Sequence, residues 1–291
     1  MPEKENCSAM QSSANPNLEN LTDDRIEEEE LRENMSKIKN KIVVLSGKGG
    51  VGKSTVAANL AVSLAEKKKK TGLLDVDIHG PSIPTLLGLK QKQLEITKSN
   101  KIMPIEYNNY LTVMSIGFML PGSDDAVIWR GPLKYSLIKQ FLKDVEWSEL
   151  DYLIIDSPPG TGDEPLSICQ LIENPKGAIV VTTPQDVALI DVRKSITFCK
   201  KLNMPIIGIV ENMSGFICPH CGKKTDIFKT GGGEHLAKEM GIPYLGNIPI
   251  EPQIVTNADS GKSFLSNKSN NTTAENNFNS IVDKIIKGDN K

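Results

Sequence analysis

The sequence lacks long apolar runs, has few aromatic residues and carries almost no net charge. Aromatic residues make up 5% of the 291 positions, and 34 Lys+Arg against 36 Asp+Glu leave a formal net charge of −2. No stretch reaches the roughly eighteen apolar residues that a transmembrane helix needs. The polar N-terminus also lacks the apolar segment of a secretory signal, and the charge balance argues against general nucleic-acid binding. These absences predict a soluble cytoplasmic protein with no membrane or nucleic-acid partner.

Cysteine is also scarce, and its distribution excludes a disulfide framework. The chain has five cysteines, an odd number. Cys7 lies in the polar tail, while Cys169 and Cys199 occupy apolar, helical stretches in which they are expected to be small buried side chains. Cys218 and Cys221 alone are close in sequence, as C-x-x-C. Chemistry is therefore expected only from this last pair.

Short apolar runs alternate with helical patterns from Lys41 onward. Strands are predicted at KIVVLS, LLDVD, LTVMSIG, DYLIIDSPP, GAIVVTTP and MPIIGIVEN, and near residues 244–248. Helical spacing occurs in STVAANLAVSLAEKKKK and in residues 186–202. This alternation predicts an α/β fold with a doubly wound, mainly parallel sheet.

Composition divides the chain into three segments. Residues 1–37 are predicted to form an acidic, partly disordered extension with a short helix, whose apolar spacing lies within 21–38. Residues 38–266 form the main domain, which carries the motifs described below. Residues 267–291 are predicted to be an Asn-rich linker and a short C-terminal helix.

A glycine-rich motif directly follows the first predicted strand. It matches G-x-x-x-x-G-K-[ST] between a strand and a helix, the context that a phosphate-binding P-loop requires. Its residues are Gly47, Lys48, Gly49, Gly50, Val51, Gly52, Lys53, Ser54 and Thr55. The glycines let successive backbone N–H groups point at phosphate oxygens, and the helix N-terminus adds positive potential. Lys53 can reach the β- and γ-phosphates and Ser54 can bind Mg²⁺, so the motif predicts ATP binding.

A second lysine gives this loop a particular form. Lys48 follows the first glycine, and the pattern K-G-G-x-G-K-[ST] resembles the deviant Walker A loop of the nitrogenase iron protein, MinD and ParA class. The resemblance implies that Lys48 reaches across a homodimer interface to the partner's nucleotide. It makes Lys48 and Lys53 the expected catalytic lysines. The plain alternative for Lys48 is a solvated loop lysine.

Carboxylates follow two of the predicted strands. Asp75 and Asp77 end the run LLDVD, where alternate positions of an extended chain share a face, and Asp156 follows the apolar residues of DYLIID. By resemblance to the same class, Asp75 and Asp156 are expected in the Mg²⁺ shell, and Asp77 is expected to position the attacking water. Asn212, at the end of MPIIGIVEN, matches the asparagine that reads the adenine ring in that class. Its alternative is a strand-end cap.

Cys218 and Cys221 stand in F-I-C-P-H-C-G. Two thiolates at this spacing can bind one metal or cluster, but a closed site needs four ligands, and the chain has no second C-x-x-C. Two copies on a twofold axis would supply four thiolates, enough for a bridging [4Fe–4S] cluster or Zn²⁺. Thioredoxin-like redox chemistry and a zinc knuckle that uses His220 or His235 are the alternatives.

Taken together, the motifs resemble a known family. GKGGVGKST, DVDIHGPSIP, WRGP, DYLIIDSPPGTGDE, VTTPQDVAL, ENMSGFICPHCG and GGGEHLA…GIPYLGNIPI occur in order between about residues 41 and 261. They resemble the Mrp/ApbC family of ATP-binding iron–sulfur cluster carriers. The resemblance implies a MinD-like P-loop NTPase fold, slow ATP hydrolysis, and a labile [4Fe–4S] cluster held by Cys218 and Cys221 of both subunits. It also implies an upstream cluster donor and apo iron–sulfur proteins as recipients.

Two other functions stay open at the level of sequence. A MinD/ParA-type positioning or partitioning switch would need a basic amphipathic membrane helix or a basic surface for DNA, whereas the C-terminal FNSIVDKIIKGDNK has few cations. A zinc-bridged dimeric binding module would use the same two cysteines. Metal analysis of protein purified without oxygen would separate these functions.

Overall fold

A computed structural model describes residues 16–120, 131–218, 220–265 and 272–288. Cys7, the first two residues of the WRGP motif and the Asn-rich residues 267–271 lie outside the described residues. So do residues 1–15 of the stretch predicted to be disordered. Every structural statement below concerns the described part of the chain.

The described elements alternate along the chain. The strands are β1 (Ile38–Ser46), β2 (Thr71–Asp75), β3 (Glu95–Ile96), β4 (Ile102–Met103), β5 (Ile105–Asn108), β6 (Leu111–Ser115), β7 (Leu150–Asp156), β8 (Gly177–Thr182), β9 (Ile206–Glu211), β10 (Phe216–Ile217), β11 (Lys224–Thr225) and β12 (Tyr244–Asn247). The helices are α1 (Pro16–Ser36), α2 (Lys53–Glu66), α3 (Ile83–Leu86), α4 (Gly131–Asp144), α5 (Asp163–Leu171), α6 (Asp186–Lys201), α7 (Gly232–Met240), α8 (Pro252–Asp259) and α9 (Thr273–Lys287).

The main sheet has eight strands in the order β12-β9-β8-β1-β7-β2-β6-β5. All neighbouring pairs are parallel except β5 with β6, which are antiparallel at the edge. The predicted doubly wound, mainly parallel α/β fold is therefore confirmed. Because β1 lies in the middle and β7 and β2 follow on one side, the carboxyl ends of these strands share one edge, where ligands bind in open α/β sheets.

Both faces of the sheet are covered, which is why its central strands contain continuous apolar runs, such as residues 42–45 of β1 and 152–155 of β7. Ile42 and Val44 of β1 pack into a core with α2 and α9. Val43 and Leu45 face the opposite side, in a core with α1, α4 and α5. This sandwich holds the strand ends, and the loops that leave them, in fixed relative positions.

The acidic N-terminal helix is part of this packing. It spans Pro16–Ser36, beginning five residues before the predicted start at 21. Asn34 Nδ2 donates hydrogen bonds of 2.8 Å to the carbonyls of Leu142 and Val145, and Glu27 pairs with Lys139 at 2.6 Å. The helix is thus docked on α4 and β1 through buried contacts as well as surface charges.

The C-terminal helix closes the other face. It begins at Thr273, five residues before the apolar stretch predicted at 278, and the Thr272 side chain accepts a hydrogen bond from Glu275 N at 3.2 Å. Phe278 and Ile281 are buried in the core, and the Phe278 ring meets Phe264 edge-on at 5.5 Å. Among the described residues, no helix has the length and apolar character to cross a membrane.

Candidate functional site

The P-loop joins the end of β1 to the start of α2. Gly52 precedes the first residue of the helix, with a φ of +81° in the left-handed region that favours glycine. A Cβ at this position would lie 2.2 Å from Asn212 Nδ2, so a side chain there would displace Asn212. The local sequence therefore determines both the turn and the approach of the neighbouring strand end.

The loop opens into a cleft of about 250 Å³. The lining includes Gly49, Gly52, Lys53, Ser54, Thr55 and Asp77. Small-molecule pockets usually measure about 300–1,000 Å³. The cleft therefore has the size of a phosphate-binding subsite rather than of a complete nucleotide site.

Lys53 lies at the centre of a buried cluster of charges. Its side chain is only 6% exposed, and Nζ pairs with Asp156 Oδ1 at 2.6 Å and with Asp77 Oδ2 at 3.6 Å. Asp77 lies just beyond the end of β2 and its side chain is 13% exposed. The ammonium group thus connects two of the three predicted carboxylates, of which Asp77 lines the cleft.

Asp75 and Asp156 are register neighbours on β2 and β7, and both are fully buried. The Asp75 carboxylate accepts hydrogen bonds from Ser115 Oγ at 2.9 Å and Asp77 N at 3.1 Å. Burial raises the pKa of Asp75 to about 7, and the charge of Asp156 adds to the rise. The protein itself therefore supplies hydrogen-bond donors to the Asp75 carboxylate.

Asp156 differs from Asp75 in having one free acceptor. Burial raises the pKa of Asp156, and the ion pair with Lys53 opposes this rise. Its second oxygen, Oδ2, is buried and has no hydrogen-bond partner among the described residues. A buried, unpartnered carboxylate oxygen beside the Ser54 hydroxyl suits Mg²⁺, which takes one or two protein carboxylates and completes its shell with phosphates and water.

Lys48 and Asn212 differ in their contacts within the described part of the chain. Lys48 is half-buried and forms no ion pair within the described part of the chain. Asn212 follows β9, and its Nδ2 donates a 2.9 Å hydrogen bond to the Val51 carbonyl of the P-loop. The amide that was expected to read adenine thus supports the loop backbone in this structure.

The two cysteines lie on a short hairpin. Strands β10 and β11 pair antiparallel, Cys218 N donates to Lys223 O at 3.1 Å, and Gly222 N donates to Cys218 O at 2.8 Å. The Cys221 thiol is exposed and Cys218 is partly exposed. The backbone N–H groups of Cys221 and His220, with the Cys221 side chain, lower the pKa of the Cys218 thiol. The turn therefore leaves both cysteines accessible from solvent and favours the thiolate of Cys218, the form that binds metals.

One described subunit does not complete a metal site around these thiols. Across residues 16–120, 131–218, 220–265 and 272–288, no group of three or more His, Cys, Asp or Glu side chains could hold a metal. His220 is exposed on the hairpin and His235 lies on α7. Neither histidine therefore joins the pair in a cluster that could act as a zinc knuckle.

Sequence reasoning missed two polar residues that organise these sites. Ser115 ends β6 and donates to Asp75, and its place after the apolar run LTVM was a usable signal. Glu211 ends β9 and is completely buried. Nothing in the local pattern distinguishes Glu211 from an ordinary strand-end residue, because its partners come from distant positions in the chain.

Comparisons with known proteins agree with the P-loop and the α/β fold described above. A ParA family profile described as NUBPL iron-transfer P-loop NTPase matches residues 37–286. An iron–sulfur cluster carrier protein from Methanocaldococcus jannaschii is 56% identical over 231 residues, 79% of each chain. A cytosolic Fe-S cluster assembly factor Nubp2 homolog from Anopheles gambiae is 52% identical over 245 residues, 83% of this chain and 94% of that protein.

Solved structures are also similar to this chain. A nucleotide-binding protein from Archaeoglobus fulgidus in complex with ADP has a TM-score of 0.72 at 41% identity, covering 81% of this chain and 92% of that one. The cell-division ATPase MinD from Pyrococcus furiosus has a TM-score of 0.61 at 23% identity, covering 85% and 98%. The second likeness supports the fold alone.

Proposed function

Because the chain belongs to the ParA family of NUBPL iron-transfer P-loop NTPases, we propose that it is a cytoplasmic iron–sulfur cluster carrier. The cargo is a labile [4Fe–4S] cluster, which a homodimer receives from an upstream donor and passes to apo-proteins. The observation that carries the proposal is the cysteine hairpin. It presents two outward thiols, whereas a closed cluster site needs four ligands. A second copy supplies the other two.

ATP binding is assigned to the P-loop. The backbone N–H groups of the glycine-rich turn and of the start of α2 bind the phosphates, and Lys53 moves from its carboxylate partners toward the β- and γ-phosphates. Ser54 and Asp156 hold Mg²⁺, with Asp75 in support. Bound Mg²⁺ neutralises charge on the phosphate oxygens. The match between the residues and the ion rests on the free Oδ2 of Asp156.

Hydrolysis requires a positioned water and a further positive charge. Asp77 lines the cleft at 3.6 Å from the Lys53 ammonium, where its carboxylate can orient the attacking water. Lys48, with no ion pair among the described residues, stabilises the transferred phosphoryl group of the partner's nucleotide. ATP then favours the dimer, and hydrolysis weakens it.

The test combines metal analysis with transfer. Protein purified without oxygen and reconstituted with iron and sulfide is expected to hold both elements, to show the visible absorption of a cluster, and to restore activity to an apo [4Fe–4S] enzyme. Zinc without sulfide would instead identify a zinc-bridged binding module. Lys53→Ala protein that loads and delivers clusters at the normal rate would refute the coupling to ATP.

The membrane-switch alternative has less support. A membrane-targeting helix needs an apolar face that is free to insert, whereas the apolar side chains of α9, such as Phe278 and Ile285, are in the core. A cluster-free protein that binds anionic vesicles only with ATP would nevertheless favour the switch.

A further inference from the structure

The cysteines lie on a loop between β9 and α7, and one side chain binds both ends of this loop. We call residues 214–231 the cysteine loop. Glu211, the last residue of β9, is 0% exposed. Its Oε1 accepts hydrogen bonds from Ser214 Oγ at 2.5 Å and from Gly231 N at 2.9 Å. Both ends of the cysteine loop are therefore tied to a single carboxylate oxygen.

The second oxygen of Glu211 holds the helix that follows the loop. Oε2 accepts a hydrogen bond from Gly233 N in the first turn of α7, an end of the helix dipole that favours negative charge. A Cβ on Gly233 would lie 3.0 Å from this oxygen, and one on Gly232 would lie 2.5 Å from the Pro184 carbonyl. The run of three glycines thus permits an approach that larger residues would obstruct.

The residue next to Glu211 contacts the nucleotide loop. Asn212 Nδ2 donates to the Val51 carbonyl at 2.9 Å. Two backbone hydrogen bonds then hold the chain between Asn212 and Cys218 in place. Ser214 N donates to Ile248 O at 2.9 Å, and Ile250 N donates to Gly215 O at 2.8 Å. A displacement of the P-loop backbone at Val51 therefore reaches Glu211 through one peptide unit.

We propose that Glu211 is a positioning residue that couples the P-loop to the cysteine loop. Nucleotide binding shifts the backbone that Asn212 contacts, and Glu211 passes the shift to both ends of the cysteine loop at once. The positions of Cys218 and Cys221 then depend on the state of the nucleotide. This inference rests on the proposed carrier function and supplies its connection between nucleotide and cargo.

The experiment measures thiol accessibility in the cluster-free, full-length chain. Alkylation rates of Cys218 and Cys221 by iodoacetamide are followed by peptide mass spectrometry, with and without Mg²⁺ and the non-hydrolysable analogue AMPPNP. The variants are Glu211→Gln, which turns an amide donor toward backbone donors, and Ser214→Ala. The latter removes the hydrogen bond to Glu211 Oε1 and a longer one of 3.4 Å from Asn247 Nδ2. Ser263→Ala is the matched control, because its buried hydroxyl donates to Asn59 Oδ1 at 2.7 Å, outside the cysteine loop.

In the unmodified chain AMPPNP is expected to change the alkylation rates by about fivefold or more, the lower range of allosteric coupling. In Glu211→Gln and Ser214→Ala the change should fall below about twofold while AMPPNP affinity stays within about threefold. Ser263→Ala should keep the full change. If Glu211→Gln does not fold, Ser214→Ala carries the comparison.

Three results would overturn the proposal. The first is a chain of unchanged sequence that binds AMPPNP without any change in its alkylation rates. The second is variants that retain the full change in rate, and the third is variants that lose only thermal stability, as a purely structural role predicts. Dimer content is measured in the same samples, because shielding of the thiols by the partner alone would persist in the variants. Failure of the carrier function is distinguishable, since it appears as an unmodified chain that retains no iron and sulfide after reconstitution.

Discussion

The buried pair of Asp156 and Lys53 allows a sharp comparison with its neighbour Asp75. Both aspartates end adjacent parallel strands in register and both are 0% exposed. Only Asp156 contacts the Lys53 ammonium, at 2.6 Å. Asp156→Asn and Asp75→Asn are therefore matched substitutions that replace the same group at equally buried positions. We expect Asp156→Asn to destabilise the protein much more than Asp75→Asn does.

The magnitudes follow from the partners that remain. Removing one member of a buried ion pair costs about 3–5 kcal/mol, because the other charge is left uncompensated. Lys53 keeps Asp77 at 3.6 Å, so the lower end of this range, about 3 kcal/mol, is expected for Asp156→Asn. Asp75→Asn removes a carboxylate that has hydroxyl and amide donors but no contacting cation, so its cost at neutral pH is expected to be below about 1 kcal/mol.

The pH dependence gives the comparison a second readout. The pKa of Asp75 is raised from 3.8 to about 7, with burial as the largest cause. Between about pH 4 and 7 the folded state holds a proton that the unfolded state has released. The free energy of unfolding therefore falls as pH rises through this window, by at most about 4 kcal/mol. Asp75→Asn should lack this component.

The assay is urea unfolding of the nucleotide-free, magnesium-free protein from pH 4.5 to 8, followed by calorimetric titration with ADP with and without Mg²⁺. Asp156→Asn should also lose most of the gain in affinity that Mg²⁺ provides, since it lacks the free carboxylate oxygen. Equal destabilisation by the two substitutions would refute the assignment of Lys53 to Asp156. An unchanged Mg²⁺ effect in Asp156→Asn would refute the proposed ion site.

Three further substitutions test separate features. Lys48→Ala should reduce the rate of ATP hydrolysis about a hundredfold while nucleotide affinity is retained. It should also abolish ATP-dependent dimerisation, measured by light scattering. An unchanged rate of ATP hydrolysis would contradict the action of Lys48 across the dimer. Cys218→Ser should lose bound iron, whereas Cys199→Ser, in the core, should keep it and lose about 1–3 kcal/mol of stability in urea. Burial lowers the pKa of Lys176 from 10.5 to about 8. Between these pH values the folded state has released a proton that the unfolded state still holds, so the free energy of unfolding rises with pH. Lys176→Met should remove that rise, and a persisting rise would assign it elsewhere.

Local patterns in the sequence were enough to predict the architecture. Continuous apolar runs alternating with helices predicted a sheet covered on both faces, and the strand–glycine–helix order predicted the P-loop. The antiparallel edge strand β5 was not among the predicted strands, because its four residues, IEYN, form too short and too polar a run to stand out as a strand. The helix starts at Pro16 and Thr273 were missed for a similar reason, since polar residues extend both helices beyond their apolar spacing.

The sequence by itself determined which chemical groups are available: a phosphate loop, carboxylates at strand ends, and two closely spaced thiols. Only the tertiary structure decided how these groups divide their roles. Strand order brings Asp156 next to Lys53 while Ser115 satisfies Asp75, and it brings both ends of the cysteine loop to Glu211. The physical reason is that a buried polar group is defined by its partners, and these partners come from strands and loops far apart in the chain.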